Sequence, residues 1–126
     1  MISSVVRAGL KHIDQLAPLF NSYRQFYRQK PDLESARQFL WDRIQHNESV
    51  IFLALENERA LGFTQLYRSF SSVSMKRLWI LNDLFVAEND RKQGVAEALM
   101  HSAKMLAIET RSKGIVLETE IGNAHA

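Results

Sequence analysis

Apolar residues along this chain fall into blocks whose spacing switches from extended to helical and back. Ser4 to Ala8 reads as a short first strand, and Gly9 to His12 as a break. Ile13, Leu16, Leu19, Phe20, Tyr23, Phe26 and Tyr27 recur at helical spacing, which predicts an amphipathic helix capped by Asp14 and ended by Pro31. Pro18 suits that helix only near its first turn. Asp32 stands where it can cap a second helix, on which Ala36, Phe39, Leu40, Arg43 and Ile44 share a face. His46 to Ser49 is its polar exit. Val50 to Leu55 is a continuous apolar run, the pattern of a strand covered on both faces. After a turn over Glu56 to Arg59, Ala60 to Tyr67 returns as a second strand, and the serine-rich stretch Arg68 to Ser74 reads as a loop. Lys76 to Val86 is long for one strand, which predicts a bulge or bend partway along. Val95, Leu99, Ala103, Leu106, Ala107 and Thr110 mark one stripe of a helix running to about Ser112, with Lys113-Gly114 as its stop. Ile115 to Ile121 is the next strand. Strand, helix, strand in that order gives a right-handed crossover and a parallel strand pair.

Composition narrows the class. A length of 126 residues suits a single α/β domain, 1–126, with its own core. The net charge of +2 comes without a long basic run, which argues against a nucleic-acid surface and is compatible with a small polyanionic ligand. The chain has no cysteine, so disulfides, thiolate metal sites and a cysteine nucleophile are excluded. His12, His46, His101 and His125 are scattered without metal-ligand spacing, so no metal is expected. Met1 to Arg7 lacks the apolar core of a signal peptide, and no stretch is apolar enough to span a membrane. The expected location is the cytoplasm.

The stretch with the most chemical content is Arg91-Lys92-Gln93-Gly94-Val95-Ala96. A strand ends before it and a helix opens on its glycine. The first turn of a helix has unpaired N–H groups and a positive dipole end, and glycine lets an anion approach the backbone closely. There is no Gly-Lys-Ser/Thr, and one glycine is too few for a dinucleotide fingerprint. On these grounds alone the stretch is either an anion site or a plain strand-to-helix turn.

The six residues resemble Arg/Gln-x-x-Gly-x-Gly/Ala, the acyl-CoA signature of the GNAT family of N-acetyltransferases. Leu81-Asn82-Asp83-Leu84-Phe85-Val86 before it and Ala98-Leu99-Met100 after it agree, and the order of elements matches over nearly the whole chain. The resemblance implies a GNAT-like acyl-CoA N-acyltransferase fold: a mixed central sheet with flanking helices. It implies an enzyme that moves acetyl from acetyl-CoA, as co-substrate, to a primary amine. Two parallel strands would splay apart to admit the pantetheine arm, here between Leu84-Phe85-Val86 and Ile115 to Ile121. Backbone N–H of Leu84, Phe85 or Val86 would meet the oxyanion. Gln93, Gly94, Val95 and Ala96 would hold the pyrophosphate, with Arg91 and Lys92 nearby.

The acceptor side is less defined. Leu-x-Asp-Leu-Phe-Val resembles the matching strand of the diamine (spermidine/spermine) acetyltransferases, which suggests a small, polyamine-like amine. Those proteins carry glutamate where this chain has Asn82, and Asn82 cannot take a proton. Asp83 is then either a site carboxylate or a structural hydrogen-bond partner. Strand alternation points it away from Asn82 unless a bulge intervenes. Glu118 and Glu120 are alternatives, as is a water relay. Tyr23, Phe26, Tyr27 and Trp41 lie on the two early helices, whose junction lines the acceptor site in the family. Tyr27 is the expected acceptor contact, and aromatic residues at this spacing also read as core.

Asn123-Ala124-His125-Ala126 resembles the start of the family's next motif, which puts Asn123 near the cofactor. The family continues into a helix carrying a tyrosine and then into further strand, so this chain is expected to lack that C-terminal unit. It is then expected either to be active as it stands or to be a non-catalytic or partner-dependent CoA-binding fragment. Without that unit the edge of Ile115 to Ile121 would be bare, which predicts a homodimer.

Overall fold

The structure is a computed structural model that describes residues 2–91 and 93–118. One sheet runs in the order β1 (Ser4–Arg7), β2 (Ser49–Glu56), β3 (Arg59–Ser71), β4 (Lys76–Val86), β5 (Ile115–Leu117). Neighbours are antiparallel except β4 and β5, which are parallel, as the crossover through α3 (Val95–Glu109) requires. Helices α1 (Ile13–Phe26) and α2 (Leu33–Gln45) cover one face, burying Leu16, Phe20 and Leu40 against Leu53 and Phe63. Helix α3 covers the other face with Val95, Leu99, Ala103, Leu106 and Ala107, the stripe expected from its spacing. Both faces of β2 are therefore buried, and its apolar run follows from that.

Several local expectations give way. Asp14 does not cap α1, because a 3-10 turn over Leu10–His12 runs directly into Ile13 and makes His12 the cap residue. Asp14 instead pairs with Arg37 of α2. Pro18 lies inside α1, and its carbonyl accepts a bond from Ser22 Oγ at 3.2 Å. Asp32 does cap α2, accepting from the Ser35 N–H at 3.1 Å. The serine-rich stretch is not a loop throughout: β3 continues to Ser71, pairing Ser69 with Leu78 and Phe70 with Arg77. Cross-strand pairing, with the Arg77 guanidinium 5.7 Å from the Phe70 ring, outweighs the low strand propensity of serine. Gly114 does not stop α3. The left-handed position falls on Arg111, and Ala107 C=O accepts from the Ser112 N–H. Trp41 and Phe26 are not core, since 37% and 44% of each is exposed.

Strand β4 contains the expected bulge. Gln65 pairs with Asp83 but Leu66 pairs with Leu81, so Asn82 is the extra residue. Before it, Trp79 and Leu81 face α3; after it, Leu84 and Val86 do, and Phe85 turns to α1. Among the described residues, β4 and β5 pair as far as Leu81 and Leu117, followed by a bond from the Glu118 N–H to Leu81 C=O at 2.9 Å. The rest of the expected last strand, 119–121, lies outside the described residues, so only Ile115–Leu117 of the edge on which self-pairing was argued is described.

Candidate active site

The bulge brings Asn82 and Asp83 to the same cleft. It has a volume of about 620 Å³ and is walled by Phe20, Tyr23, Ala36, Phe39 and Tyr67, with Arg24, Asp32 and Ser35 on α1, α2 and their junction. Asp83 is buried at its base and accepts three side-chain bonds. Tyr23 Oη donates to Oδ1 at 2.7 Å, Asn82 Nδ2 to Oδ1 at 3.1 Å, and Gln65 Nε2 to Oδ2 at 2.7 Å. Ser49 Oγ donates to Gln65 Oε1 at 2.7 Å, and Thr64 Oγ1 to the Asp83 carbonyl at 2.7 Å.

These contacts set the electrostatics. Burial pushes the Asp83 carboxyl above the ordinary aspartate range, and the bonds from Tyr23, Gln65 and Asn82 pull it partly back. Burial, and then the adjacent Asp83, push the Tyr23 phenol well above its usual value, so it remains a donor throughout the neutral range. Tyr67 is pushed up to about 12 for the same two reasons. Asn82 donates to the carboxylate beside it and offers no base.

The opposite end of the site lies past the bulge. Backbone groups of a strand point alternately to its two neighbours. The Ala87 N–H bonds Leu61 C=O on β3, so the backbone of Leu84 and Val86 faces the β5 side, whereas that of Phe85 faces β3. Of the three expected contributors, only Leu84 and Val86 are turned toward the gap. The loop before α3 ends on Gly94 at φ +77, a left-handed conformation that favours glycine. A Cβ there would meet nothing within 4 Å, so the approach to the backbone is open. Gly94 brings no side-chain cap to α3, and Gln93 is exposed. Glu97 is the acidic residue of that first turn. A strand end that leads to a helix start without a side-chain cap fits a ligand bearing phosphates.

Arg91 lies at the end of β4: its Nε donates to Val86 C=O at 3.1 Å and its guanidinium sits 5.7 and 5.6 Å from the Phe26 and Phe85 rings. The loop is anchored from behind by Asp90, which is buried and takes a two-pronged bond from Arg59 at 2.9 and 3.0 Å. Glu118 is exposed and is not among the residues lining the cleft. Neither is Tyr27, which packs edge-on against Tyr23 and Phe26. Lys92, Glu120 and Asn123 lie outside the described residues. Sequence reading missed Gln65, Tyr67 and Arg24, and gave Asp32 only a capping role. One signal was present: Thr64-Gln65 is a polar pair inside an apolar strand, set against Asn82-Asp83 on its neighbour.

Fold and site together define an α/β acyl-CoA N-acyltransferase. The model of the acetyltransferase (GNAT) family matches residues 13–126, and the chain belongs to that family. Members take their acetyl group from acetyl-CoA. A relative named "Uncharacterized N-acetyltransferase YhfO", from Bacillus subtilis (strain 168), is 51% identical over 111 residues, 88% of this chain and 74% of that protein. A Haemophilus influenzae protein named "Probable acetyltransferase" is 40% identical over 108 residues, 85% of this chain and 74% of that one. A crystal structure of a probable acetyltransferase, at 50% identity, superposes with a TM-score of 0.91 over 96% of this chain and 82% of its own. An aminoglycoside acetyltransferase from a soil metagenomic sample, in complex with sisomicin, shares the fold at a TM-score of 0.78 and 21% identity, covering 97% of this chain and 80% of its own. Among the described residues no group of three or more potential ligands could hold a metal ion. None of their helices is long and apolar enough to cross a membrane.

Proposed function

We propose that this acetyltransferase acts on the primary amine of a small molecule bound in the cleft above Asp83. The observation that carries this reading is the buried carboxylate at the base of an aromatic-walled cleft, on the strand whose outer edge leads to Gly94. A volume of about 620 Å³ is in the range of small-molecule sites. Two carboxylates, Asp83 and Asp32, line the cleft, which favours a compact diamine of the polyamine kind over a neutral acceptor. Arg24 also lines the cleft, so its outer part does not suit a long polycation.

In this reading Asp83 first anchors the ammonium and then receives its proton, directly or through one water. A carboxyl held above its ordinary range is a better base near neutral pH than a solvated one. Tyr23 and Asn82 keep the carboxylate oriented by donating to Oδ1. Acetyl-CoA supplies the thioester carbonyl that the free amine attacks; an N–C bond forms, the C–S bond breaks, and CoA leaves as thiolate, which takes up, through solvent, the second proton that the nitrogen sheds as the amide forms. The N–H of Val86, turned to the β5 side, is the candidate donor to the developing oxyanion. Gln93 to Ala96 are the candidate pyrophosphate holders.

The test is thiol release from acetyl-CoA over a panel of short diamines, spermidine, monoamines, sisomicin and a peptide N-terminus. Short diamines are expected to give the highest kcat/KM, a few-fold above the monoamines and the peptide, since their second ammonium meets the exposed Asp32 and such a contact contributes about 1 kcal/mol at most. Preference for the peptide would overturn the small-molecule reading. CoA binding without turnover on any amine would favour the non-catalytic alternative.

A further inference from the structure

Gln65 is fully buried between Ser49 and Asp83, and its amide is read in one direction. Ser49 Oγ gives its hydrogen to Gln65 Oε1, which leaves Nε2 to donate to Asp83 Oδ2. Reversing the amide would set Oε1 against the carboxylate, acceptor against acceptor, unless Asp83 carried a proton. The amide orientation and the charge on Asp83 are thus linked.

We propose that Ser49 and Gln65 are positioning residues for the transfer reaction: a buried hydrogen-bond chain from β2 through β3 that holds Asp83 in its ionised, proton-accepting form. The inference rests on the role given to Asp83 above. No part of the chain touches the cleft contents, because Ser49 and Gln65 do not line it. Its action reaches the substrate only through Oδ2.

The surroundings of Asp83 make this donor matter. From α1, Tyr23 donates to Oδ1 and Arg24 lines the cleft. From the start of α2 comes Asp32, and from β3 come Gln65 and Tyr67. On β4 itself Asn82 donates to Oδ1. Among the described residues no cation donates to the carboxylate, so three neutral donors carry its solvation there, and of these Gln65 serves Oδ2. Removing one of three such donors should raise the carboxyl pKa by about one unit, given that two or three donors lower a carboxylate by about two.

The experiment follows kcat/KM against pH, with a diamine acceptor, in wild type, Gln65→Leu, Gln65→Glu, Ser49→Ala, Ser49→Thr and Asp83→Asn. The Asp83 carboxyl carbon is titrated in parallel by NMR, which needs no activity. Gln65→Leu is expected to move the acid limb and the NMR midpoint up by about one pH unit. Gln65→Glu should move both further, because adjacent carboxyls cannot both ionise readily. Ser49→Ala should move them by a smaller step and Ser49→Thr, which keeps the hydroxyl, should restore them. Changes in stability without a shift in either midpoint would overturn the proposal. An acid limb that persists in Asp83→Asn would instead overturn the role of Asp83. If that limb vanishes while Gln65→Leu leaves the midpoints in place, the relay alone is wrong. A Gln65 variant that fails to fold leaves the Ser49 pair, whose matched loss and rescue decides the question.

Discussion

A carboxylate that burial pushes up in pKa folds more readily with its proton on than off. Asp83 therefore adds stability that is fully present below the ordinary aspartate pKa of about 3.9 and is lost as pH rises through its raised value. Asp32 and Glu56, whose pKa values are lowered, act in the opposite sense, so wild type alone does not isolate Asp83. The gap in unfolding free energy between wild type and Asp83→Asn does. It should move against wild type with rising pH by at most about 1.4 kcal/mol per unit across that window, and then level off. Urea titrations at stepped pH read it; a flat gap, or one moving in wild type's favour, contradicts the burial argument. That Asp83 needs hydrogen-bond partners was legible in the sequence, since a charged residue in an apolar strand must be paired or hydrogen-bonded. Its partners were not. Gln65 is eighteen residues away in the chain, and only strand register sets them face to face.

At the scale of elements, the bulge at Asn82 performs two tasks with one residue. It turns Asp83 into the cleft, and it turns the Leu84 and Val86 backbone to the side of the sheet that β5 occupies. The length of the strand announced a bulge, but periodicity gave no means of placing it. Helix caps and stops were read less well, because Asp14 and Gly114 are good terminal residues in isolation. The 3-10 turn before Ile13 and the left-handed Arg111 displaced them. Gly62 holds the two halves of the site at close range. A Cβ there would lie 2.8 Å from Phe85 O and 3.0 Å from Val95 Cγ1, so β4 and the start of α3 approach over a bare backbone. Gly62→Ala should cost about 1–3 kcal/mol in chemical unfolding, the usual penalty for overpacking. An unchanged or raised midpoint would mean that this contact relaxes freely.

For the molecule as a whole, architecture was more legible than site. Helical and extended blocks alternate cleanly, and the crossover rule gives the parallel pair without further information. The strand end, turn, glycine and helix start of the proposed cofactor side were legible for a local reason: they are contiguous in the chain, so the left-handed Gly94 could be read in place. The acceptor side was not, because the cleft takes residues from α1, α2, β3 and β4 and exists only after packing. The central claim is that acetyl-CoA binds along the β4 edge to the start of α3, with its acetyl group delivered above Asp83. Calorimetric titration of CoA into wild type and Gly94→Glu, both verified as folded by circular dichroism, tests this most directly. The account predicts a saturable heat for wild type and none for Gly94→Glu, which puts bulk and negative charge at the open glycine. Equal affinities in the two proteins would contradict it.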